Sequence, residues 1–237
     1  MKSPLVRPAC APASDKRSDA PAPHHSPRYG FRSHILIALA AAVWAPGYAA
    51  ADGPVVRVEE DWEVVIGVPE PDEDAPQIVT VISPYNSLDS VHAVFELNHS
   101  TLPSYGGGGM QLQKWFGDYP LSYHNSPSPS ALAAANETVR FTMKMSVGEG
   151  KLQFEVVNGQ SSTWGQFGGQ GYLKTSTPTL LNDLSTYNTL VSTQNSRVGF
   201  ASHRVKKLAR TEVRYYSADE LVSTDADEVV VHAYNPE

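Results

Sequence analysis

The chain has 237 residues, with 18 Lys and Arg against 25 Asp and Glu, and Cys10 is its only cysteine. A net negative protein repels the phosphates of nucleic acids and anionic lipids, so we expect no nucleic acid partner. A single cysteine cannot form an internal disulfide or a cysteine-based metal site.

The first 51 residues are typical of a secretory leader. A basic region extends to Arg32, and the apolar run 35–43 and the small residues Ala49-Ala50-Ala51 follow it. This order defines a signal peptide. The apolar run is shorter than the about 20 residues that span a bilayer, so we expect cleavage after Ala49 or Ala51 and no transmembrane span afterwards. A short uncleaved membrane anchor is the alternative.

Removal of the leader makes the remaining protein more acidic. Residues 1–51 hold six of the 18 basic and two of the 25 acidic residues, so residues 52–237 carry a net charge of −11. We predict one domain over residues 52–237, long enough for a sizeable core, in a protein that is secreted, periplasmic or on the cell surface.

Strand patterns dominate the remainder of the chain. In chain order, strands are predicted over residues 55–68, 77–82, 91–97, 109–116, 138–147, 151–157, 197–201, 205–216 and 228–234. Turn residues concentrate between them, for example over 84–89, 123–130 and 158–171, and residues 180–190 are predicted to supply a short helical turn. About nine strands, most of them alternating, predict an all-β fold, an antiparallel β-sandwich of the jelly-roll type.

The clearest local prediction is a β-hairpin. Residues 138–147 place Val139, Phe141, Met143 and Met145 on one face, and residues 151–157 do the same with Leu152, Phe154 and Val156. The turn Gly148-Glu149-Gly150 joins the two runs. Alternating runs around a short glycine-rich turn are typical of a hairpin.

The order of long strands, glycine-rich loops and closing strand resembles the concanavalin A-like lectin and glucanase jelly rolls. The segments FELNHSTLP, GGMQLQKWFGDYP, NGQSSTWGQFGGQGYL and GFASHRVKKLARTEVRYYS are also similar to a family of exported marine bacterial proteins without an assigned activity. The second resemblance covers most of residues 52–237 and brings no catalytic residues with it. Since fold does not imply function, the function must be argued from sites.

The first candidate site is the acidic segment Glu59-Glu60-Asp61-Trp62-Glu63. The period of a strand places Glu59, Asp61 and Glu63 on one face. This spacing resembles the catalytic strand of laminarinase-type glucanases, which carries nucleophile, helper and acid. Glu60 departs from that family, which has an apolar residue at this position. The alternative is an exposed acidic face on an edge strand, where charge prevents edge-to-edge pairing.

The second candidate site combines aromatic and amide side chains, the groups that stack on sugar rings and bind sugar hydroxyls. It contains Trp164, Gln166, Phe167, Gln170 and Tyr172, with Trp115 elsewhere in the chain. The glycines of this loop permit a close approach to a ligand. Alternatively, the loop caps the end of the sandwich and Trp164 is part of the core.

Two further charge patterns allow two interpretations each. The acidic clusters 72–74 and 225–228 offer oxygen ligands for Ca²⁺ but lack the spacing of an EF-hand, so solvated charge is the alternative. A basic set is predicted to form an exposed sheet face, which pairs with the acidic strand or contacts an anionic polysaccharide. The set consists of Arg204, Lys206, Lys207, Arg210 and Arg214.

The leading hypothesis is therefore a non-catalytic exported β-sandwich without a cofactor. It binds a polysaccharide, a cell-surface glycan or another cell-envelope component, or serves as a surface structural module. The alternative is a glycan-active hydrolase or lyase of the jelly-roll class that uses Glu59, Asp61 and Glu63. A concave cleft with aromatic side chains around these carboxylates would favour the enzyme.

Overall fold

The computed structural model describes residues 53–68, 75–99, 109–128, 130, 132 and 134–235. These residues belong to one compact unit, Pro46–Glu237. The predicted leader over residues 1–51 and the acidic cluster 72–74 lie outside the described residues.

The described residues form mainly strands. In chain order these are β1 (Arg57–Ile66), β2 (Gln77–Ile82), β3 (Val91–Leu97), β4 (Met110–Phe116), β5 (Tyr119–Asn125), β6 (Thr138–Gly148), β7 (Lys151–Ser161), β8 (Gly165–Phe167), β9 (Lys174–Pro178), β10 (Arg197–Phe200), β11 (Val205–Ser217), β12 (Glu220–Asp225) and β13 (Val229–Ala233). Helix α1 (Thr189–Asn195) and a 3-10 turn (Ser202–Arg204) lie on either side of β10. No helix in this part of the chain is long and apolar enough to cross a membrane.

The strands form two antiparallel sheets, which confirms the predicted all-β class. The larger sheet has the order β12-β11-β1-β6-β7-β8, with β13 paired to β11 and β9 paired to β7. The smaller sheet has the order β10-β2-β3-β4-β5. The finer jelly-roll assignment stays a prediction.

The core lies between the inner faces of these sheets. Phe95 of the smaller sheet meets Phe141 of the larger sheet edge to face, with ring centroids 5.0 Å apart. Buried and partly exposed residues alternate along β1, which places Trp62, Val64 and Ile66 inside. The two sheets therefore form a β-sandwich around one hydrophobic cluster.

The predicted hairpin is present as β6 and β7. Met143 lies opposite Val156 and Met145 lies opposite Phe154, and all four side chains are buried as expected. Glu149 and Gly150 have φ angles of 51° and 68° in the turn. Two positive φ values are required by the tight turn that joins strands with a right-handed twist, and glycine adopts them without strain.

The sequence patterns did not reveal four strands, β5, β8, β9 and β12. The predicted turns over residues 123–130 and 158–171 were partly wrong, since the first covers the end of β5 and the second covers β8 and the end of β7. Strand β5 is an edge strand with Pro120 and several exposed side chains, so it lacks the apolar alternation that marks a half-buried strand. Strand β8 has only three residues, which is too short for a detectable period. Helix α1 begins near the end of the expected helical turn.

Candidate functional site

The outer face of the smaller sheet carries a row of polar and aromatic side chains. In β3, Ala93, Phe95 and Leu97 point into the core, so alternation places His92, Val94 and Glu96 on the outer side. Across the β3–β4 pair, His92 lies opposite Trp115 and Val94 lies opposite Gln113. Paired residues share a face, so Trp115 and Gln113 are also on the outer side.

A groove of about 270 Å³ lies on this face. Val79, Val81 and Val94 form its apolar part, and Leu88, Gly117 and Asp118 contribute from the adjoining loops. Its polar and aromatic residues are His92, Glu96, Gln113, Trp115, Asn195 and Arg197. We call this set of twelve residues the outer groove.

Hydrogen bonds fix the orientation of the groove's aromatic and amide side chains. The indole Nε1 of Trp115 donates to Oε1 of Gln113 at 2.8 Å. Gln113 in turn donates to Gln111 at 2.7 Å, and Gln111 donates to Asn125 at 2.7 Å. This series of hydrogen bonds runs along β4, ends on β5 and orients the Trp115 ring. Preorganisation of this kind lowers the entropic cost of binding.

Two titratable residues of the outer groove have shifted pKa values. Burial raises the pKa of Glu96, and the charge of Arg197 and a hydrogen bond from Gln113 oppose this effect only in part. Burial lowers the pKa of His92, whose Nδ1 lies 3.0 Å from the carbonyl oxygen of Ser90. That carbonyl can only accept, so Nδ1 carries a proton. Shifted pKa values in a cleft mark a functional-site candidate.

The acidic segment lies on the other sheet. Glu59, Asp61 and Glu63 share the outer face of β1, as predicted, but β1 lies between β11 and β6. The alternative of an edge strand was therefore wrong. Because β1 is paired on both sides, its charges are not needed to prevent edge-to-edge pairing.

Each of these three carboxylates has basic partners. Asp61 forms two hydrogen bonds with the guanidinium of Arg214, at 2.5 and 2.9 Å. The Glu63 carboxylate accepts from Arg140 at 2.6 Å and from Lys207 at 3.2 Å. Arg57 and Arg214 lie 3.3 and 3.4 Å from Glu59. Such ion pairs occupy the carboxylate oxygens, which does not favour a role as general acid or nucleophile.

A polar hollow of about 320 Å³ adjoins Asp61. Two register shifts border it, one opposite Asp61 and Trp62 in β11 and one in β7 near Asn158. The aromatic residues that line the hollow, Trp62 and Phe141, are buried at 1% and 2% exposure. Among the residues that the structure describes, the hollow therefore exposes no aromatic surface on which a sugar ring could stack, and these carboxylates do not lie in an aromatic cleft.

The loop from Trp164 to Tyr172 packs mainly against the core. Phe167 is buried, and the half-buried Trp164 meets it edge to face at 6.2 Å. The indole of Trp164 donates to the carbonyl of Ser130 at 2.8 Å. A Cβ on Gly159 would lie 2.3 Å from the Phe167 ring, so this glycine is what allows Phe167 to pack there.

The polar residues of that loop lie further outside. Gln166 and Gln170 are exposed, and the hydroxyl of Tyr172 accepts from the backbone of Gly168 at 3.2 Å. These contacts favour the capping interpretation for Trp164 and Phe167. Ligand binding by the loop stays a prediction. Of the predicted ligand-binding residues, Trp115 is the one that lies in the outer groove.

Sequence reasoning did not single out His92, Glu96, Gln113 and Arg197. The alternation of residues 91–97 was recognised, and it already placed His92 and Glu96 on the face opposite the core. Alternation within one strand does not show which strands pair with it, and Gln113 and Arg197 join this face only through sheet pairing.

Four of the five residues of the predicted basic set fall into two groups, and the fifth, Lys206, is exposed as predicted and donates to Asn136 at 3.0 Å. Lys207 and Arg214 pair with the acidic strand, as expected. The prediction of an exposed face was wrong for Arg204 and Arg210, which are buried at 2% and 3% exposure. Arg204 donates from Nε to the carbonyl of Val68 at 3.0 Å. Arg204 and Arg210 therefore lie inside the protein, where they hold loops and secondary-structure elements in place.

The second acidic cluster takes part in ion pairs. Asp225 lies 3.6 Å from Arg210, and Glu228 pairs with Lys207. Within the residues that the structure describes, no group of three or more His, Cys, Asp and Glu side chains is arranged to hold a metal ion. The ion pairs within the larger sheet therefore explain the presence of the acidic side chains Asp225 and Glu228.

Comparison with known proteins assigns no family to this chain. No protein-family model matches the chain, and no curated protein matches it either.

Proposed function

We propose that this protein is a non-catalytic glycan-binding β-sandwich whose binding site is the outer groove. The observation that carries the proposal is the preorganised pair of Trp115 and Gln113 on a strand of the smaller sheet. Sites on strands hold their side chains more precisely than sites on loops. We therefore assign the binding site to the outer groove and not to the loop at Trp164.

The chemistry of the groove suits a sugar ring. The apolar C–H face of a pyranose stacks on the half-buried indole of Trp115, and its hydroxyls exchange hydrogen bonds with Glu96 and Arg197. A mainly apolar lining with a few convergent polar groups is typical of small-molecule sites. At about 270 Å³ the groove is near the lower end of their usual size, which suits one or two sugar rings at a time.

Location follows from the predicted leader. With a signal peptide over residues 1–51, we propose that binding takes place outside the cytoplasm, with a polysaccharide or cell-surface glycan as partner. The glycan-active hydrolase or lyase remains the alternative. It gains no support from Glu59, Asp61 and Glu63, whose charges are balanced by arginines and a lysine.

A glycan array probed with the full chain tests the proposal. We expect binding to at least one glycan class, at least about tenfold weaker after Trp115→Ala, the effect of losing a central aromatic contact. Trp164→Ala should bind as the wild type does. An array without any bound glycan, or a Trp115→Ala protein with unchanged binding, contradicts the proposal. Release of reducing or unsaturated ends from a bound glycan would favour the enzyme instead.

A further inference from the structure

We infer that the ligand of the outer groove is an internal stretch of a glycan chain, which lies across the strands of the smaller sheet from Arg197 to Tyr123. This inference rests on the proposed function and adds the ligand's length and direction. It is carried by the register of the sheet, the position of an exposed tyrosine and the loops that close one end of the groove.

The register aligns the side chains of the outer face in two rows, one across five strands and one across four. In one row Arg197 lies opposite Val79, Val79 opposite Glu96, and Glu96 opposite Gln111, which is paired with Asn125. The next row places Val81, Val94, Gln113 and Tyr123 side by side. Four spacings between neighbouring strands amount to roughly 19 Å. That distance matches a short oligosaccharide and exceeds a single sugar ring.

Tyr123 extends the site beyond the groove itself. Its side chain is 54% exposed, and its pairing with Gln113 places it on the outer face. It does not line the groove, so a ligand that only filled the groove would leave this aromatic surface unused. Trp115 and Tyr123 stand on neighbouring strands of one face, which offers two stacking surfaces to successive rings of one chain.

The loops at one end of the groove favour this direction. Leu88, from the loop before β3, and Gly117 and Asp118, from the turn after β4, stand at the end that holds His92 and Trp115. A chain that ran parallel to the strands would meet these loops. A chain that crosses the strands leaves the face at β5, whose only hydrogen-bonded neighbour among the described strands is β4.

Isothermal titration of the full chain tests the inference. The probes are cello-, laminari-, xylo- and manno-oligosaccharides, each from disaccharide to hexasaccharide. We expect at least one series to bind, with an affinity at least about tenfold higher for the hexasaccharide than for the disaccharide. Tyr123→Ala should remove this gain and leave the disaccharide affinity within about twofold of the wild type.

Tyr119→Ala is the matched control. Tyr119 is 75% exposed in the same hairpin, but it pairs with Phe116, which alternation along β4 places on the face opposite Trp115. The register shift in this strand pair between Lys114 and Trp115 puts Tyr119 and Tyr123 on different faces, although they are four residues apart in β5. We expect its affinities to equal those of the wild type for every probe. An equal loss in both tyrosine variants would contradict the assigned path of the chain.

The remaining outcomes separate the two proposals. Equal affinity for disaccharide and hexasaccharide overturns the inference and leaves the groove as a site for a short ligand. Absence of binding to every probe overturns the inference, and with an empty glycan array it overturns the proposed function as well. If sedimentation finds a dimer that Tyr123→Ala converts to a monomer, the exposed hairpin is a contact between two copies and the inference is wrong.

Discussion

The hydroxyl of Ser192 donates a hydrogen bond of 2.5 Å to Oε1 of Glu60, and this contact joins helix α1 to the centre of strand β1. The hydroxyl of Tyr187 donates to the same oxygen at 2.5 Å, and the indole of Trp62 donates to Oε2 at 3.1 Å. The positive charge of Arg210 also acts on this carboxyl. Glu60 is thus an acid inside the core that three donors surround.

This buried cluster also positions one side of the outer groove. The carbonyl of Thr189, the first residue of α1, accepts from Arg210 at 3.2 Å. Beyond the helix, Oγ of Ser196 accepts from the backbone of Val81 at 3.0 Å. Helix α1 is therefore attached to both sheets, and Asn195 and Arg197 at its C-terminal end line the groove.

Replacement of Glu60 by Leu should lower the free energy of unfolding by about 3–5 kcal/mol, because three donors lose their acceptor and the charge of Arg210 loses a nearby carboxyl. Glu60→Gln keeps one carbonyl oxygen and should cost about 1–3 kcal/mol. Urea unfolding measures both values. The exposed Glu220→Gln serves as the control and should stay within about 0.5 kcal/mol of the wild type. A Glu60→Leu protein as stable as the wild type would show that the cluster contributes no net stability.

The pH dependence of stability should identify Glu60 as an acid of raised pKa. Burial raises its pKa above the ordinary value of 4.5, so the folded state binds the proton more tightly than the unfolded state does. The resulting stabilisation is present below the unfolded pKa and is lost as the pH rises through the folded pKa. The stability of the wild type relative to Glu60→Gln should therefore increase as the pH falls towards 4.5. If the difference in unfolding free energy between the wild type and Glu60→Gln stays constant between pH 4.5 and 8, the raised pKa of Glu60 is contradicted.

Glu63 should show the opposite dependence. Burial alone would raise its pKa, but hydrogen bonds and charges from Arg140 and Lys207 lower it below 4.5. Its stabilisation is then present above the unfolded pKa and is lost as the pH falls through the folded pKa. Since the Arg140 side chain is 62% exposed, we expect a contribution of at most about 1 kcal/mol. Urea unfolding of Glu63→Gln from pH 7 to pH 3 should find a difference from the wild type that disappears in acid.

Trp115 and Trp164 should respond differently to truncation. Trp164→Ala removes a contact with Phe167 and a hydrogen bond to Ser130, and we expect a loss of about 2–4 kcal/mol of stability with glycan binding unchanged. Trp115→Ala should weaken glycan binding at least about tenfold and lower the melting temperature less than Trp164→Ala does. Thermal unfolding and the glycan array, measured on both variants, separate the roles. If instead Trp164→Ala loses glycan binding and Trp115→Ala loses more stability, the binding site lies in the loop at Trp164.

The hairpin gives a direct test of register. Phe154→Ala should cost about 3–5 kcal/mol because the side chain is fully buried. Lys144→Ala, on the opposite face and 3.7 Å from Glu155, should stay within about 0.5 kcal/mol. Equal midpoints in denaturant for the two variants would contradict the assignment of faces.

The sequence alone determined the features that depend on local periodicity. Alternation along β6 and β7 identified their buried faces, because successive side chains of any strand point to opposite sides. The same rule placed Glu59, Asp61 and Glu63 on one face and predicted an all-β fold. Edge strand β5 was not predicted because burial does not distinguish its two faces, so its sequence shows no apolar alternation.

The tertiary structure decided which side chains meet. Arg214 neutralises Asp61 across 153 positions of sequence, and Arg140 reaches Glu63 across 77. The outer groove likewise assembles Arg197, Glu96 and Trp115 from three separate strands. Periodicity along one strand carries no information about the identity of its neighbours. Strand order therefore placed the three carboxylates of β1 beside basic residues and the outer groove on the other sheet.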